Sequence, residues 1–521
     1  MEAHAGFLSL LAPLVAIGLA LATRKVVPSL ATGAAVGALV SAGGAPVASL
    51  SALVGFFGKA VIDLDHLKIS LFSVMVAGMV GLLSASGSMR GMVERIQGVA
   101  RGPRGAVTAS WLAGLVVFFD DYANCLVVGN AMGPLCDRVR VSRAKLAYVV
   151  DSTAAPVATL AIVSTWVAFQ VDEIEAALAT TPFQEPAFGL FVQSLPFGFY
   201  SWFTIAFVGM IALSGRDFGA MRQAEEEARV APYWEDDAER VVTGPPGIAV
   251  LSIATLVGLT FGAMFWTGWQ ALGEGGADAR LFEVLGAARA YDSMLIGSGA
   301  AIILASVLSL AWGRMSLGSL PRGAWSGIRP VLDALVILYL AWTLGAAINA
   351  TGAGDYLAGA VGPWLAPALL PAITFVLAAL ISFATGTSFG TMTILIPMAI
   401  PLALAMTGDL SSPVVLATTG SVLSGACLGD HASPISDTTI LSSIGSGVDL
   451  ITHVKTQIPY ALTTGAIAIF VGYLPAGFGV NPWLLILVGI VLVIAVVRLV
   501  GTRVPAAKVA EPTPPSAAAS P

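Results

Sequence analysis

Six carboxylates lie inside stretches of sequence that are otherwise apolar: Asp120, Asp121, Asp151, Asp333, Asp430 and Asp437. A carboxylate at the centre of a lipid bilayer costs at least about 2.5 kcal/mol, so such a group faces a cavity, pairs with a cation or takes up a proton. The same apolar stretches contain no Lys or Arg. A site that must hold either a proton or a metal cation can exchange one for the other, and these residue types indicate that chemistry.

Neutral polar side chains accompany the acids. They supply amide and hydroxyl oxygens of the kind that Na⁺ accepts alongside unwound backbone carbonyls. We therefore predict an ion-binding or substrate-binding site that draws on Asp120, Asp121, Asn124, Asp151, Ser152, Thr153, Thr385, Thr387, Ser388, Asp430, His431, Ser433, Ser436 and Asp437. Within this set we assign Asp121 and Asp151 as direct ligands of Na⁺.

Some of these side chains also have a purely structural alternative. A Ser or Thr hydroxyl in a helix often donates to the carbonyl four residues earlier. For His431 one alternative is a buried neutral imidazole satisfied by a hydroxyl, and the other is a group that senses pH. The sequence leaves both alternatives open.

The composition excludes whole classes of protein. Of the 521 residues, 57% are hydrophobic and 11% charged, against roughly 45–50% and 25% in soluble domains. The net charge is −6, and no dense basic block indicates nucleic-acid binding. The three cysteines lack CxxC spacing, so neither a disulfide framework nor a thiolate metal site is indicated. An integral membrane protein remains.

Apolar stretches of about 20 residues, the length that crosses a hydrocarbon core of about 30 Å, recur along the chain. They predict an all-α polytopic membrane protein with about 11 transmembrane helices near residues 7–23, 27–42, 69–88, 146–170, 188–213, 246–269, 294–312, 330–350, 413–444, 457–478 and 483–500. Two more apolar stretches, 105–135 and 366–404, are too long for one helix and are interrupted by polar residues. We predict re-entrant hairpins there.

The basic residues set the orientation. With the N-terminus outside, 21 of the 25 Lys and Arg residues fall on the inner side and 4 on the outer side, as the positive-inside rule requires. This assignment places a solvated polar linker, 214–245, and the C-terminus in the cytoplasm. It leaves no basic residue inside the membrane to pair with the acids.

Polar interruptions recur in the same order in two parts of the chain. Hairpin 105–135 precedes a helix, 146–170, that we expect to break at residues 151–156, and hairpin 366–404 precedes a helix, 413–444, that we expect to break at residues 430–434. Pro156 and Pro434 give a reason, because proline removes a backbone donor. Since the first hairpin opens inward and the second outward, the parts are inverted repeats, which indicate a secondary transporter with its site near the membrane midplane.

These patterns divide the chain into six segments. They are an uncleaved N-terminal transmembrane helix (1–26), a first inverted repeat (27–213), a cytoplasmic linker with a connecting helix and an outer loop (214–293), a second inverted repeat (294–478), a C-terminal transmembrane helix (479–501) and a disordered tail (502–521). The two repeats are expected to carry the site.

Four segments resemble the signature regions of the NhaC family of sodium/proton antiporters, within the larger ion-transporter superfamily: FFDDYANCLVVGN, RAKLAYVVDSTAAPVATLAIVSTW, TGTSFGTMTILIP and GDHASPISDTTILSS. The similarity runs from about residue 70 to about residue 475. The resemblance implies a mobile transport domain of hairpins and broken helices, a scaffold domain that often dimerises, and elevator-type alternating access. It leads us to expect a homodimer in a bacterial inner membrane.

The leading hypothesis is exchange of Na⁺ or Li⁺ for H⁺, with no enzymatic activity, no cofactor beyond the transported ions and no nucleic-acid partner. Because the family also contains members that move amino acids or exchange carboxylic acids, a transporter of such a substrate, coupled to Na⁺ or H⁺, is the alternative. A carboxylate substrate would usually need an intramembrane Arg or Lys, although helix N-termini can also hold one.

An intramembrane aspartyl protease is disfavoured because CLGD at Cys427–Asp430 lacks the first Gly of a GxGD motif. A channel is disfavoured because buried titratable acids suit obligatory exchange.

Overall fold

The computed structural model describes residues 6–23, 25–97, 100, 102–183, 186–230, 243–273, 284, 288–312, 315–353, 356, 365–434 and 436–503. Three sequence predictions lie wholly or partly outside these residues. They are the disordered tail beyond residue 503, the centre of the linker at 231–242 and the outer loop around 274–287.

The described chain is almost entirely helical. Its first part forms α1 (Leu11–Thr23), α2 (Val26–Ser41), α3 (Pro46–Ile62), α4 (Leu64–Ala85), α5 (Ser88–Gln97), α6 (Gly102–Val116), α7 (Asp121–Ala123), α8 (Gly129–Arg138), α9 (Arg143–Leu160), α10 (Thr165–Leu178), α11 (Ala187–Ser194), α12 (Phe199–Ser214) and α13 (Gly219–Val230). Its second part forms α14 (Pro246–Leu272), α15 (Ala290–Ala311), α16 (Leu320–Thr351), α17 (Leu370–Thr385), α18 (Ser388–Thr407), α19 (Pro413–Ala432), α20 (Asp437–Ser446), α21 (Leu450–Ile467), α22 (Leu474–Gly477) and α23 (Pro482–Leu499).

Seven described helices are long and apolar enough to cross a membrane. The number rises to nine if two pairs, α9 with α10 and α11 with α12, each bent by 47°, count as single spans. Four shorter apolar helical stretches lie at Gly6–Ala16, Val27–Ser41, Pro46–Ile62 and Leu335–Thr351. A polytopic helical membrane protein is confirmed, and the count of about 11 spans stays a prediction.

Helix α3 lies between two predicted spans, 27–42 and 69–88, in a segment that these predictions left as a loop. It has 17 residues, fewer than the roughly 20 that mark a transmembrane helix, and this shortness hid it. Val47, Leu50 and Val54 leave at least 63% of their surface exposed, while the helix packs on α2 and α16. An exposed apolar face of this kind suits contact with lipid, so the loop prediction was wrong.

The first predicted helix break lies farther along the chain than expected. Helix α9 continues through Asp151 and Pro156 to Leu160, and the chain bends at residues 161–164. The predicted break at 151–156 was therefore wrong, because helices packed around a buried segment can accommodate the donor that a proline removes. In the second part α19 ends at Ala432 and α20 begins at Asp437, so that break overlaps the predicted one.

The two breaks end in the same way. The Ser164 hydroxyl accepts a hydrogen bond from the backbone N–H of Val167 at 3.2 Å, and the Ser436 hydroxyl accepts one from Thr439 at 3.3 Å. Each serine thus caps the N-terminus of the helix that follows its break. The interrupted pairs α9/α10 and α19/α20 correspond in order and in capping, and the inverted repeats remain a prediction.

Each predicted hairpin contains a break. Helix α6 ends at Val116, and α7 runs through a π-helical turn, Asn124–Val128, into α8. Helix α17 ends at Thr385 and is followed by Gly386, whose φ is +68°, a left-handed conformation that glycine adopts without strain. The segments 367–385 and 388–407 each pass the length and hydropathy criteria for a membrane span. The second hairpin is therefore long enough to cross the bilayer.

The linker after α12 is partly buried, unlike the solvated segment that the sequence predicted. The Lys145 ammonium lies 2.5 Å from Asp217 Oδ2 and 3.4 Å from Glu225 Oε2, and all three side chains are at most 4% exposed. Buried charges of opposite sign must pair in this way, because an unpaired one is costly. The linker helix α13 is thereby anchored to the start of α9.

The chain after α23 returns to the start of the linker. Thr502 and Arg503 form β2, which pairs antiparallel with β1, Arg216–Asp217. The prediction that disorder begins at residue 502 was wrong for these two residues, because β1 supplies partners for their backbone groups. The end of α23 and the start of the linker therefore lie on one side of the molecule.

The helices pack as two groups. The flanking group consists of α1–α4 and α14–α16, and the site-bearing group consists of α6–α13 and α17–α23. The groups meet where α4 and α16 face α10 and α18. The predicted site residues all belong to the site-bearing group or to the break that precedes α7.

Candidate ion-binding site

Breaks in the helices bring the predicted acids together. Asp121 begins α7 and Asp437 begins α20. The Tyr122 hydroxyl donates to Asp437 Oδ2, so the first hairpin is joined directly to the break between α19 and α20. The centre of α9 packs against α20 and α21, which places Asp151 beside the same break.

Neutral donors hold one oxygen of each central carboxylate. Asp151 Oδ2 accepts hydrogen bonds from the Gln457 amide at 2.6 Å and from the Thr439 hydroxyl at 3.2 Å. Asp430 Oδ2 accepts one from the Thr438 hydroxyl at 2.7 Å. These donors fix the orientation of both carboxylates without neutralising their charge.

The other oxygen of each carboxylate is unpartnered. Among the described residues, buried oxygens without a hydrogen bond include Asp121 Oδ2, Asp151 Oδ1 and Asp430 Oδ1, with Asn124 Oδ1, Ser152 Oγ and Ser388 Oγ. A buried acceptor without a partner costs about 1–3 kcal/mol, and more when it is charged. A proton or a metal cation would remove that cost at each of the three carboxylates.

Few positive charges approach these acids. The His453 ring nitrogen Nε2 lies 3.8 Å from Asp151 Oδ2, and no described ion pair joins Asp121, Asp151 or Asp430 to a Lys or Arg side chain. The described residues also contain no group of three or more His, Cys, Asp or Glu side chains arranged to hold a metal ion.

A small cavity adjoins the acids at the contact between the two helix groups. Its volume is about 50 Å³, and Asp120 and Asp121 line it together with residues of α4, α10, α16 and α18. That volume holds a few water molecules at most. Asp437 is exposed, so the buried carboxylates have a neighbour that reaches the surface.

His431 has both ring nitrogens engaged. Its Nε2 lies 3.2 Å from the backbone carbonyl oxygen of Asp151, which can only accept, so Nε2 donates. The Tyr200 hydroxyl lies 2.9 Å from Nδ1 and serves as the donor to it when the ring is neutral. This geometry favours the structural alternative for His431, a buried neutral imidazole satisfied by a hydroxyl.

Several other predicted residues have structural contacts. The Asn124 amide donates to the carbonyls of Gly114, Val117 and Thr153. The hydroxyls of Thr153 and Thr385 donate to carbonyls of their own helices, and Thr387 caps α18. Ser436 caps α20, while Ser433 lies buried in the break before it. At the tip of the second hairpin, the buried hydroxyl of Ser388 has no hydrogen-bond partner among the described residues.

Sequence reasoning missed the donors that orient the acids. Thr438 and Thr439 directly follow Asp437, within a motif that had been singled out. Gln457 and His453 lie four residues apart on α21, and His453 Nε2 lies 2.8 Å from Gln457 Oε1. Two polar residues at helical spacing in an apolar helix were the available signal, but the predicted span began only at residue 457.

Known proteins resemble this chain in sequence and in fold. The model of the Na⁺/H⁺ antiporter family matches residues 157–478. An uncharacterized protein of Haemophilus influenzae is 35% identical over 482 residues, which is 90% of this chain and 91% of that protein. The malate-2H⁺/Na⁺-lactate antiporter of Bacillus subtilis is 34% identical over 168 residues, which is 30% of this chain and 33% of that antiporter. The crystal structure of the Alcanivorax borkumensis YdaH transporter shares the fold, with a TM-score of 0.59 at 16% identity over 85% of this chain and 91% of that one.

Proposed function

This chain belongs to the Na⁺/H⁺ antiporter family, and from that membership we propose that it exchanges Na⁺ or Li⁺ for H⁺ across a bacterial cytoplasmic membrane. One observation carries the proposal. Asp121, Asp151 and Asp430 are buried, and each has one unpartnered oxygen. Asp121 also lines a cavity of about 50 Å³, which suits a bare or partly hydrated cation.

Competition for the same carboxylate oxygens provides the coupling. A proton on a carboxylate neutralises it, and direct ligation of Na⁺ does the same, so binding of one cation displaces the other. Asp121 and Asp151 are the proposed Na⁺ ligands. The supporting set is Asp120, Asn124, Ser152, Thr153, Thr385, Thr387, Ser388, Asp430, His431, Ser433, Ser436 and Asp437.

The finer architecture forms part of the same proposal. The hairpins at 105–135 and 366–404 and the bent pairs belong to inverted repeats at 27–213 and 294–478. The site-bearing group moves as a transport domain against the flanking group, which acts as a scaffold and dimerises. A cavity between the groups supports this division, since sliding of one group would change which side of the membrane the cavity faces.

The proposed orientation has the C-terminus in the cytoplasm. The proposed topology has about 11 transmembrane helices, and the N-terminal helix (1–26) and the C-terminal helix (479–501) lie outside the two repeats. Residues that the positive-inside rule assigns to the same side of the membrane lie close together, which supports this orientation. Arg140 Nη1 donates to the Arg229 carbonyl, and Arg503 pairs with Arg216. On the side assigned as outer, Lys68 lies 3.0 Å from Asp292.

A transporter of a carboxylic acid or an amino acid, coupled to Na⁺ or H⁺, is the second candidate. The relative from Bacillus subtilis, by its name, exchanges malate and protons for Na⁺ and lactate, which favours this candidate. Two features of this chain favour the cation instead. The cavity is far smaller than the roughly 300–1,000 Å³ of sites for drug-sized ligands, and the central acids would repel a carboxylate.

Reconstitution into proteoliposomes tests the two candidates together. Proton flux is followed with a pH-sensitive dye while Na⁺, Li⁺, K⁺, amino acids and carboxylates are added in turn, and uptake of radiolabelled substrates is measured in the same vesicles. We expect saturable proton movement driven by Na⁺ and Li⁺ alone. Saturable accumulation of an organic substrate, with no Na⁺-dependent proton movement in its absence, would overturn the antiporter proposal.

A further inference from the structure

Helix α10 carries a second pair of buried acids outside the site described above. Asp172 is 4% exposed and Glu173 is 2% exposed. The predicted span ended at residue 170, before both acids, but the helix continues to Leu178. Neighbouring helical residues point about 100° apart, so the two side chains face different elements. Glu173 accepts a hydrogen bond from Thr393 of α18 at 2.9 Å.

Asp172 faces the flanking group. Its Oδ2 accepts a hydrogen bond from the Trp342 indole of α16, and its Oδ1 lies 3.7 Å from His66 Nε2 of α4. The His66 ring stacks on the Trp342 ring, with centroids 3.6 Å apart and planes inclined by 2°. This contact therefore joins α10, α4 and α16 across the boundary between the two helix groups.

The geometry of His66 favours a proton in this contact. His66 Nδ1 is 2.8 Å from the Ala60 carbonyl oxygen, which can only accept, so Nδ1 carries a hydrogen. In a neutral ring Nε2 would then present a lone pair toward Asp172 Oδ1, and an ionised carboxylate would do the same from the other side. One proton, on either Nε2 or Oδ1, turns that repulsion into an attraction.

We propose that Asp172 and His66 form a second proton-binding site, which exists only while α10 is docked against α4 and α16. The inference rests on the proposed function, because it gives this site a part in the proton balance of cation exchange. It is separate from the central acids. Thr165, which donates to Asp120 at 3.3 Å, lies seven residues earlier on α10, about 10 Å along the helix axis.

Acidic groups predominate around the pair. On α10 the neighbours of Asp172 are Glu173 and the exposed Glu175, and Asp63 precedes α4. Lys68 of α4 is paired with Asp292 of α15 at 3.0 Å, so its charge is largely offset. Helices α16 and α18 contribute Trp342 and Thr393 to these contacts, and neither is charged.

A proton bound in only one conformation couples pH to conformation. Protonation of the pair stabilises docking of α10, and loss of the proton leaves two lone pairs opposed and favours separation of the two helix groups. If Na⁺ binding favours the separated state, Na⁺ must release this proton in addition to any released from the central acids.

The first test counts protons released when Na⁺ is added to the purified protein in weakly buffered detergent solution. Asp172→Asn keeps an oxygen for Trp342 and offers an amide donor to His66 Nε2, so the contact survives without a titrating carboxylate. His66→Gln removes the imidazole, which is the base that faces Asp172. Asp409→Asn, at an exposed acid outside this contact, is the matched control. We expect both pair variants to release about one proton fewer per Na⁺ bound than the wild type and the control.

The second test is hydrogen–deuterium exchange of peptides from α4 and α10 between pH 5 and pH 9, corrected for the intrinsic exchange rate. In the wild type and Asp409→Asn, protection should fall as pH rises, while in Asp172→Asn and His66→Gln it should stay constant. Unchanged proton counts together with wild-type pH dependence in both pair variants would overturn this site. Failure of the wild type to release any proton on Na⁺ addition would instead count against the antiporter function, and the exchange experiment would still decide whether the pair titrates.

Discussion

Replacement of Asp151 by Asn tests the central site most sharply. Asn keeps an oxygen to accept the hydrogen bonds from Gln457 and Thr439, so the local packing persists. Its amide nitrogen takes the place of an unpartnered carboxylate oxygen, which exchanges one unsatisfied buried group for another. The free energy of unfolding should therefore change by no more than about 1–3 kcal/mol.

The effect on cation binding should be much larger. A unit charge 4 Å from a cation contributes about 4 kcal/mol at an effective dielectric constant of 20, which corresponds to roughly a thousandfold change in Kd. Titration with radioactive Na⁺ in detergent measures that change. Na⁺-driven proton flux in proteoliposomes measures its consequence, which is loss of exchange at physiological Na⁺ concentrations.

Thermal unfolding supplies an independent measure of the same loss. Na⁺ at one hundred times its Kd should stabilise the wild type by about 2.7 kcal/mol, and Asp151→Asn should gain none of this. Asp409→Asn, at an exposed acid, is the matched control and should behave as the wild type does. Wild-type Na⁺ affinity in Asp151→Asn would show that the cation is held elsewhere and that the role given to the unpartnered oxygen is mistaken.

Three further predictions follow from the same structure. Raising pH on the cation side should lower the apparent KM for Na⁺, because each proton lost from the central carboxylates frees a ligand; an apparent KM that rises with pH would contradict direct competition. Single cysteines at Arg138 and Thr180, both exposed, should differ in labelling of intact cells by an impermeant thiol reagent, with Thr180→Cys reacting and Arg138→Cys shielded; the reverse pattern would invert the proposed orientation. Lys145→Met leaves Asp217 and Glu225 without the ammonium they share, and burial already raises the pKa of Asp217, so stability should fall by about 3–5 kcal/mol and lower the Tm, whereas Lys59→Met at an exposed position should leave the Tm unchanged.

The acids of the central site could be predicted because their cost in an apolar environment is independent of the fold. Asp151 and Asp430 had to meet a cavity, a partner or a proton in any arrangement of helices, and the structure places both beside the break between α19 and α20. The donors that orient them could not be derived in the same way. Gln457 and Thr439 belong to different helices, and only tertiary packing brings them to one carboxylate oxygen.

The errors also have physical causes. Pro156 indicates a missing hydrogen bond but not whether neighbouring helices compensate for it, so the break was placed one to three turns too early. Asp172 and Glu173 looked like the solvated end of a span because two adjacent acids rarely continue an intramembrane helix. The Trp342 indole and the Thr393 hydroxyl, which donate hydrogen bonds to these two acids, lie more than 150 residues away in the sequence.

The helix starts at the site have a consequence for its electrostatics. Asp121 lies in the first turn of α7 and Asp437 in the first turn of α20, while Asp120 contacts Thr165, the first residue of α10. Each helix start carries the positive end of a peptide dipole, which favours a nearby anion by about 0.3–1 kcal/mol and by up to about 2 kcal/mol in partly buried sites. This stabilisation offsets part of the cost of at least about 2.5 kcal/mol for an ionised carboxylate in the membrane without a Lys or Arg that would compete with the cation. Backbone dipoles therefore reduce the free-energy difference between the charged and protonated forms, and the proposed exchange requires both forms in every cycle.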